Sequence, residues 1–301
     1  MTPDLAQAIA AGATVVTPNR RLALSLQRDF DGSQAAKGLA AWDSADVLPL
    51  SAFVERAYDD ALHSDIAPGL PLLLTPAQEQ SLWEEAIGAS EWGGVLLAIA
   101  QTAAQCREVW QLAHEWRIAG ALGAWEGNED TRAFAAWSRA YARRCEREGN
   151  TDAARLPDIV SGLLQQKALR KPKLLVAYAF DILASQQRDF LGACAQAGIE
   201  VQTRGPARRE AKPVRLAFAA ARDELESAAQ WARARLEADA GSRIGIVVPD
   251  LEQRLKEVER IFSRVLDPGR GLPAAAPRPP SFNVSLGMPL AEYPLVHAAL
   301  A

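Results

Sequence analysis

Four residues near the start combine types that could do chemistry: Thr17, Asn19, Arg20 and Arg21, in the run Val15-Val16-Thr17-Pro18-Asn19-Arg20-Arg21. Two cations beside an amide, at a turn into an apolar-periodic segment, can hold phosphate oxygens. The side chains and the free amides of a helix start would share the work. A capped, solvated helix start has the same composition, so the turn alone leaves both readings open. Ser51 follows a second extended stretch in a similar way. Three more basic groups recur along the chain: Arg143, Arg144 and Arg147; Lys167, Arg170, Lys171 and Lys173; and Arg204, Arg208, Arg209 and Lys212. Each group could neutralise phosphates and give a salt-dependent affinity, or serve solubility alone.

Other chemistries lack their residues. No G-x-x-x-x-G-K-[ST], G-x-S-x-G or G-x-G-x-x-G occurs, so neither a phosphate-cradling loop nor a nucleophile elbow can be read. His114-Glu115 opens an H-E-x-x-H pattern, but the second histidine's place is taken by Ile118. The three histidines are scattered, and Cys106, Cys145 and Cys194 form no C-x-x-C, so no metal site and no cofactor are expected. The pairs Asp59-Asp60 and Glu84-Glu85 fall on amphipathic segments and read as solvated faces.

These residues must be positioned by a chain of 301 residues, enough for about two domains with sizeable cores. Hydrophobic residues at 49% and charged residues at 23% describe a globular protein, and a net charge of −4 argues against coating nucleic acid by bulk charge. An odd cysteine count points to a reducing compartment. With no long apolar run and no signal-peptide pattern, a cytoplasmic location and no membrane partner are expected.

The periodicity predicts a short helix over 4–11, a strand at 14–17, and a helix carrying Leu22, Leu26 and Phe30 with Asn19 as its N-cap. A second strand at 46–51 leads into a helix capped by Ser51. From Thr75-Pro76, a capping box with Gln78, the texture is helical to about residue 147. Seven of the eight tryptophans lie between Trp42 and Trp137. They could stack bases of a single strand, but their helical spacing favours a tryptophan-rich core. The apolar run 174–179 predicts a central strand, followed by a helix over 184–197 and a strand at 199–202, a β-α-β unit with a parallel sheet. Strands at 214–219 and 244–248 alternating with helices at 222–238 and 250–265 predict a second α/β region, then a proline-rich loop over 267–280.

In this order the segments resemble the N-terminal part of a UvrD/RecB-type helicase, and more closely the helicase-inactive, AddB-like DNA repair exonucleases. Val15 to Ala23 is similar to the strand-contacting Thr-Asn-Lys-Ala-Ala segment of the helicases (motif Ia). Val47 to Arg56 looks like the following segment (motif Ib), with Pro49, Leu50 and Ser51 in place of Thr-Phe-His. Thr75 to Ile87 and the helices after it fall where those enzymes carry a helical insert (1B), and Gly149 to Leu156 resembles the return into the first core domain. Arg222 to Glu226 with Ile244 to Asp250 looks like the opening of the second core domain. Phe282 to Val296, with Gly287, Pro289-Leu290 and Tyr293 to Val296, is the most specific match to the AddB-like pattern.

The departures shape what the resemblance implies. About 13 residues precede the first strand, too few for a phosphate-loop strand, loop and helix. Ala177, Tyr178 and Ala179 stand where helicases carry the Asp-Glu pair, and there is no room between Val201 and Val214 for the ATP-sensing Gln and Arg segments. The family's nuclease and iron–sulfur cysteines belong to a region this chain does not contain. The expected fold class is therefore α/β, a degenerate P-loop-helicase-like core with parallel sheet, an all-helical insert and the start of a second α/β core domain. Its parts are expected at 1–74, 75–148, 149–205 and 206–301, the last truncated. The expected role is a non-catalytic module, neither ATPase nor nuclease by itself, that binds DNA and positions a nuclease domain or partner helicase. The alternative is an interaction scaffold without DNA contact. Thr17, Asn19, Arg20, Arg21 and Ser51 are the first DNA-binding candidates. Arg143, Arg144, Arg147, Lys171, Lys173, Arg208 and Arg209 are secondary ones.

Overall fold

A computed structural model describes residues 1–66, 68–124, 127–166, 169–206, 212–269, 279–287 and 290–300. The chain divides into two compact units, Met1–Arg209 and Glu210–Ala301.

The first unit opens with α1 (Pro3–Ala10), β1 (Thr14–Thr17), α2 (Arg20–Ala36), β2 (Val47–Pro49) and α3 (Leu50–Leu62). Asn19 caps α2 as its position predicts, its Oδ1 accepting from the Leu22 amide at 3.0 Å. Ser51 does not cap α3: the cap position falls on Pro49, and Ser51 lies within the helix's first turn, exposed. The proline's fixed φ already sets the extended entry to that helix, so no hydroxyl is called on. The two-residue β3 (Leu72–Leu73) then leads into the insert, α4 (Pro76–Gly88), α5 (Ile99–Glu115) and α6 (Glu129–Glu148). The chain returns through β4 (Asn150–Thr151), α7 (Leu156–Leu163), β5 (Leu174–Tyr178), α8 (Ser185–Gln196) and β6 (Glu200–Arg204).

All pairings are parallel, and the main sheet has the order β2-β1-β5-β6. Alternate residues of its central strands feed two different cores, as a strand's two-residue period requires. Val15, Val176 and Tyr178 pack with Leu5, Ile9, Leu26 and Phe30 of α1 and α2 on one face. Val16, Leu175 and Ala177 pack with Phe53, Val54, Val160 and Phe190 of α3, α7 and α8 on the other. That double burial is why both strands read as continuous apolar runs.

The insert holds its own core. Trp83 stacks on Tyr141 with ring centroids 4.3 Å apart and meets Trp110 edge-on at 6.0 Å. Trp83, Trp110 and Trp137 are buried, so these three serve packing and present no face to a base. The insert leaves and re-enters at one place, because Leu72 and Leu73 pair with Asn150 and Thr151. Gly149, at φ 66°, ends α6 in the left-handed turn that glycine adopts without a Cβ clash. Arg117 follows α5 with φ 61° and pairs with Asp158 at 2.7 Å and Asp189 at 2.9 Å, tying the insert to α7 and α8.

The second unit departs from expectation. The predicted helices form as α9 (Ala221–Ala238) and α10 (Leu251–Leu266), and a short α11 (Pro294–Leu300) follows. The segments 214–219 and 244–248, expected as strands, carry no ladder. The apolar faces of α9 and α10 are spent on each other through Leu225, Ala229, Val258, Ile261 and Phe262. Val214 and Val247 remain 81% and 90% exposed, with no strand beside them among the described residues. Alternation of strand and helix thus gives way to a helix pair.

Candidate nucleic-acid interface

Two crossovers leave the sheet in opposite directions. The β1–α2–β2 connection covers one face and β5–α8–β6 the other, so the order reverses between β1 and β5. In open parallel sheets ligands bind in the crevice outside the carboxyl ends of the strands at such a reversal. The turn after β1 is therefore placed where the fold favours a site. A cleft of about 220 Å3 lies there, lined by Pro18, Leu50, Ser51, Glu115, Phe180 and Gln186 among others. Ala179, at the end of β5, takes φ 59° and donates its amide to the Arg204 carbonyl at 2.8 Å. A non-glycine residue there is strained by about 1 kcal/mol.

The sequence candidates separate sharply by role. Thr17 is fully buried, and its hydroxyl donates to the Asn19 carbonyl at 2.9 Å, so it shapes the turn from within. A β-branched residue completing a strand buried on both faces has no route to solvent, which removes Thr17 as a DNA contact. The Asn19 amide oxygen is committed to the helix cap. Arg20 and Arg21 are exposed and have no ion-pair partner among the described residues. Together with the unbonded amides of the first turn of α2 they present positive charge outward. Ser51, exposed on the rim of the cleft, belongs to the same edge.

The secondary basic residues are dispersed over other surfaces. Lys171 and Lys173 precede β5, at the opposite, amino-terminal edge of the sheet. Lys171 there donates to the Leu164 carbonyl at 2.7 Å and is structural. That edge also holds Asp46: burial pushes its carboxyl up, but bonds from Arg56 and Thr14 outweigh this and keep it below the usual range. Arg143, Arg144 and Arg147 lie on α6 of the insert. Arg144 is bound by Glu85 at 2.8 Å and Glu148 at 2.7 Å, whereas Arg143 has no such partner among the described residues. Arg208 and Arg209 lie outside the described residues.

Sequence reasoning passed over a buried charged cluster around Asp152. Asp152 is fully buried and accepts from the Trp110 indole at 3.2 Å and the Tyr141 hydroxyl at 3.1 Å, both from the insert. Its other partner is Arg155, whose amide and Nε donate to it at 3.0 and 2.9 Å. The Arg155 Nη2 stands 2.8 Å from the same oxygen, too bent to make a second hydrogen bond. Glu79, only 8% exposed, is the cluster's second acid. Burial and then the Asp152 charge push its carboxyl up to about 7, partly offset by Arg107 and Arg155. The Trp83 indole N–H faces that carboxyl without reaching hydrogen-bond geometry. His114, beside the cluster, is driven below its ordinary value by burial. The run 149–156 contains Asp152 and Arg155, but nothing local in it announces partners from α4, α5 and α6.

Among the described residues no group of three or more His, Cys, Asp and Glu side chains is placed to hold a metal ion. No helix among them is long and apolar enough to cross a membrane. No protein-family model matches this chain, and no curated protein matches it, so the reading of the site rests on geometry and on residue chemistry.

Proposed function

We propose that this chain is a non-catalytic DNA-binding module of a DNA repair helicase or exonuclease system, which holds DNA and positions a nuclease domain or partner subunit. The observation that carries the reading is the pair Arg20 and Arg21. Both are exposed, without ion-pair partners among the described residues, and set at the amino end of a 17-residue helix beside the chain reversal of the sheet. Phosphate oxygens at that edge would meet two guanidinium groups and the free amides of the first turn. The carboxyl end of β5 carries Ala177, Tyr178 and Ala179, with no carboxylate to bind magnesium, which supports a role without ATP turnover. DNA-stimulated hydrolysis at about 1 per second or faster would contradict that part of the proposal.

The test is anisotropy of a labelled oligothymidylate across a salt series. Replacing Arg20 and Arg21 by Ala should leave thermal stability unchanged and lower the slope of log affinity against log salt by about 1.4, at about 0.7 per phosphate contact on a single strand. Sequence preference should not change, because backbone contacts position a strand without reading bases. An unaltered slope in a folded double variant would favour a second reading, an interaction scaffold that does not touch DNA. The observation behind that reading is the exposed apolar stripe of Val109 and Leu112 on α5 and Trp116 at its C-cap.

A further inference from the structure

We propose that Arg139, Arg143 and Arg147 on α6 form a track for the sugar–phosphate backbone of a single nucleic-acid strand, separate from the Arg20–Arg21 turn. The proposal rests on the reading of the chain as a DNA-binding module and adds a second, larger contact surface to it. The three residues recur at i, i+4 and i+8, so each guanidinium has a like charge one turn away. Such pairs weaken a helix by about 0.2–0.5 kcal/mol each. Three arginines of α9 and α10 show the opposite arrangement, a carboxylate three or four residues on: Arg222 with Glu226 at 3.0 Å, Arg233 with Glu237 at 2.7 Å, Arg254 with Glu257 at 3.0 Å. Even Arg144, beside the stripe, is doubly paired.

On the stripe itself such relief is slight. Arg139 and Arg143 have no ion-pair partner among the described residues, and Arg147 reaches only Glu148, at a long 3.8 Å. A local rule broken with so little compensation, inside an otherwise well-supported element, is the pattern expected at a functional surface. Here the support is ample: Asn128 caps the helix by accepting from the Thr131 amide at 3.0 Å, Gly149 closes it, and Tyr141 and Cys145 anchor its inner face.

The surface beside the stripe suits an extended polyanion. Ala136 and Ala140 keep the floor low between the arginines. Two adjoining depressions share Ala136, one of about 330 Å3 walled by Arg143 and Arg147, the other of about 560 Å3 walled by Arg139 and Arg132. Successive arginines rise about 6 Å along the helix axis, so three of them offer charge along a line of about 12 Å. A compact anion would use one of these groups. A chain with charge repeating along its length uses all three. The half-exposed Trp92, set edge-on against Trp137 at 6.0 Å, borders the second depression and offers an apolar plate for a base. Glu91 and Glu129 lie at that same end and limit the track there.

The test compares the intact chain, Arg20→Ala/Arg21→Ala and Arg139→Gln/Arg143→Gln/Arg147→Gln with a labelled oligothymidylate. The triple variant should lose about 2 from the salt slope, while its melting temperature holds or rises because the repulsion is gone. The corresponding triple lysine variant should keep the slope. If the intact chain does not bind the oligonucleotide, the DNA-binding reading falls and the track with it. If the intact chain binds and the triple glutamine variant keeps the full slope, the track alone is overturned. Displacement of the oligonucleotide by an equal charge concentration of polyglutamate would overturn it too, in favour of an acidic protein partner.

Discussion

Replacing Glu79 by Gln isolates the energetic cost of one buried acid. In the folded protein this carboxyl sits against Asp152 and inside the tryptophan core of the insert, and its pKa is about 7, against 4.5 for the free side chain. Between those two values the folded state holds a proton that the unfolded chain has released. Stability therefore falls as pH rises through this window and is level above it. The displacement corresponds to about 3 kcal/mol acting against the charged form. Glutamine has the same shape and never ionises, so the variant should match the parent near pH 4 and exceed it by most of that amount at pH 8.5. For a unit of this size about 2–4 °C accompanies each kcal/mol, which places the gain at about 6–12 °C by circular dichroism melting. A difference in melting temperature between parent and variant that stays constant from pH 4 to 8.5 would refute the upward push that burial and the Asp152 charge exert on Glu79.

Asp152→Ala, just past β4, should cost about 3–5 kcal/mol in urea denaturation, because it leaves Arg155 without its counter-ion and one indole and one phenol donor unpaired. A loss below about 1 kcal/mol would show that water replaces the carboxylate freely. Ala179→Gly should raise stability by up to about 1 kcal/mol, since glycine takes φ 59° without strain, and a lower melting point would mean the methyl group packs usefully. At Arg117, substitution by Ala and by Gly removes the same two ion pairs, so the difference between the variants reports the backbone alone. Glycine should be the more stable by about 0.5–1 kcal/mol in the same denaturation assay.

Much of the first unit was legible because its signals are local. Strands β1 and β5, buried on both faces, read as apolar runs, and the Thr75–Gln78 capping box and the Asn19 cap each lie within four residues. Trp83, Trp110 and Trp137 read correctly as core because helical spacing shows in the chain itself, whereas Trp42 and Trp116, which share the same stretch, are exposed. Thr17 was misjudged since its place in a phosphate-like turn is visible in sequence while its burial is decided by β2 and α2. The Asp152 cluster was invisible for a stronger reason: Glu79, Trp110 and Tyr141 come from three separate helices and meet only after the insert folds. The strands expected at 214–219 and 244–248 failed because β-branched residues favour extended backbone but cannot supply a neighbour to pair with. Arg143 and Arg147 stand out by composition, yet their alignment with Arg139 at a spacing of four acquires meaning only once the folded helix shows how few carboxylates they reach.

The parallel pairing of Leu72–Leu73 with Asn150–Thr151 has a kinetic consequence. The central pairing of β1 with β5 joins distant stretches of chain, and closing so long a loop is slow and entropically unfavourable. Once the three-helix excursion has folded on its own tryptophan core and its two ends are joined at β3 and β4, that loop is roughly halved, worth about 0.6 kcal/mol in closure entropy. The saving is small, but it makes the order of events asymmetric. The helical part can form from neighbouring contacts without the sheet, whereas the sheet forms faster with the helical part already in place. In pulse-labelling hydrogen exchange, amides of α4, α5 and α6 should therefore gain protection before those of β5.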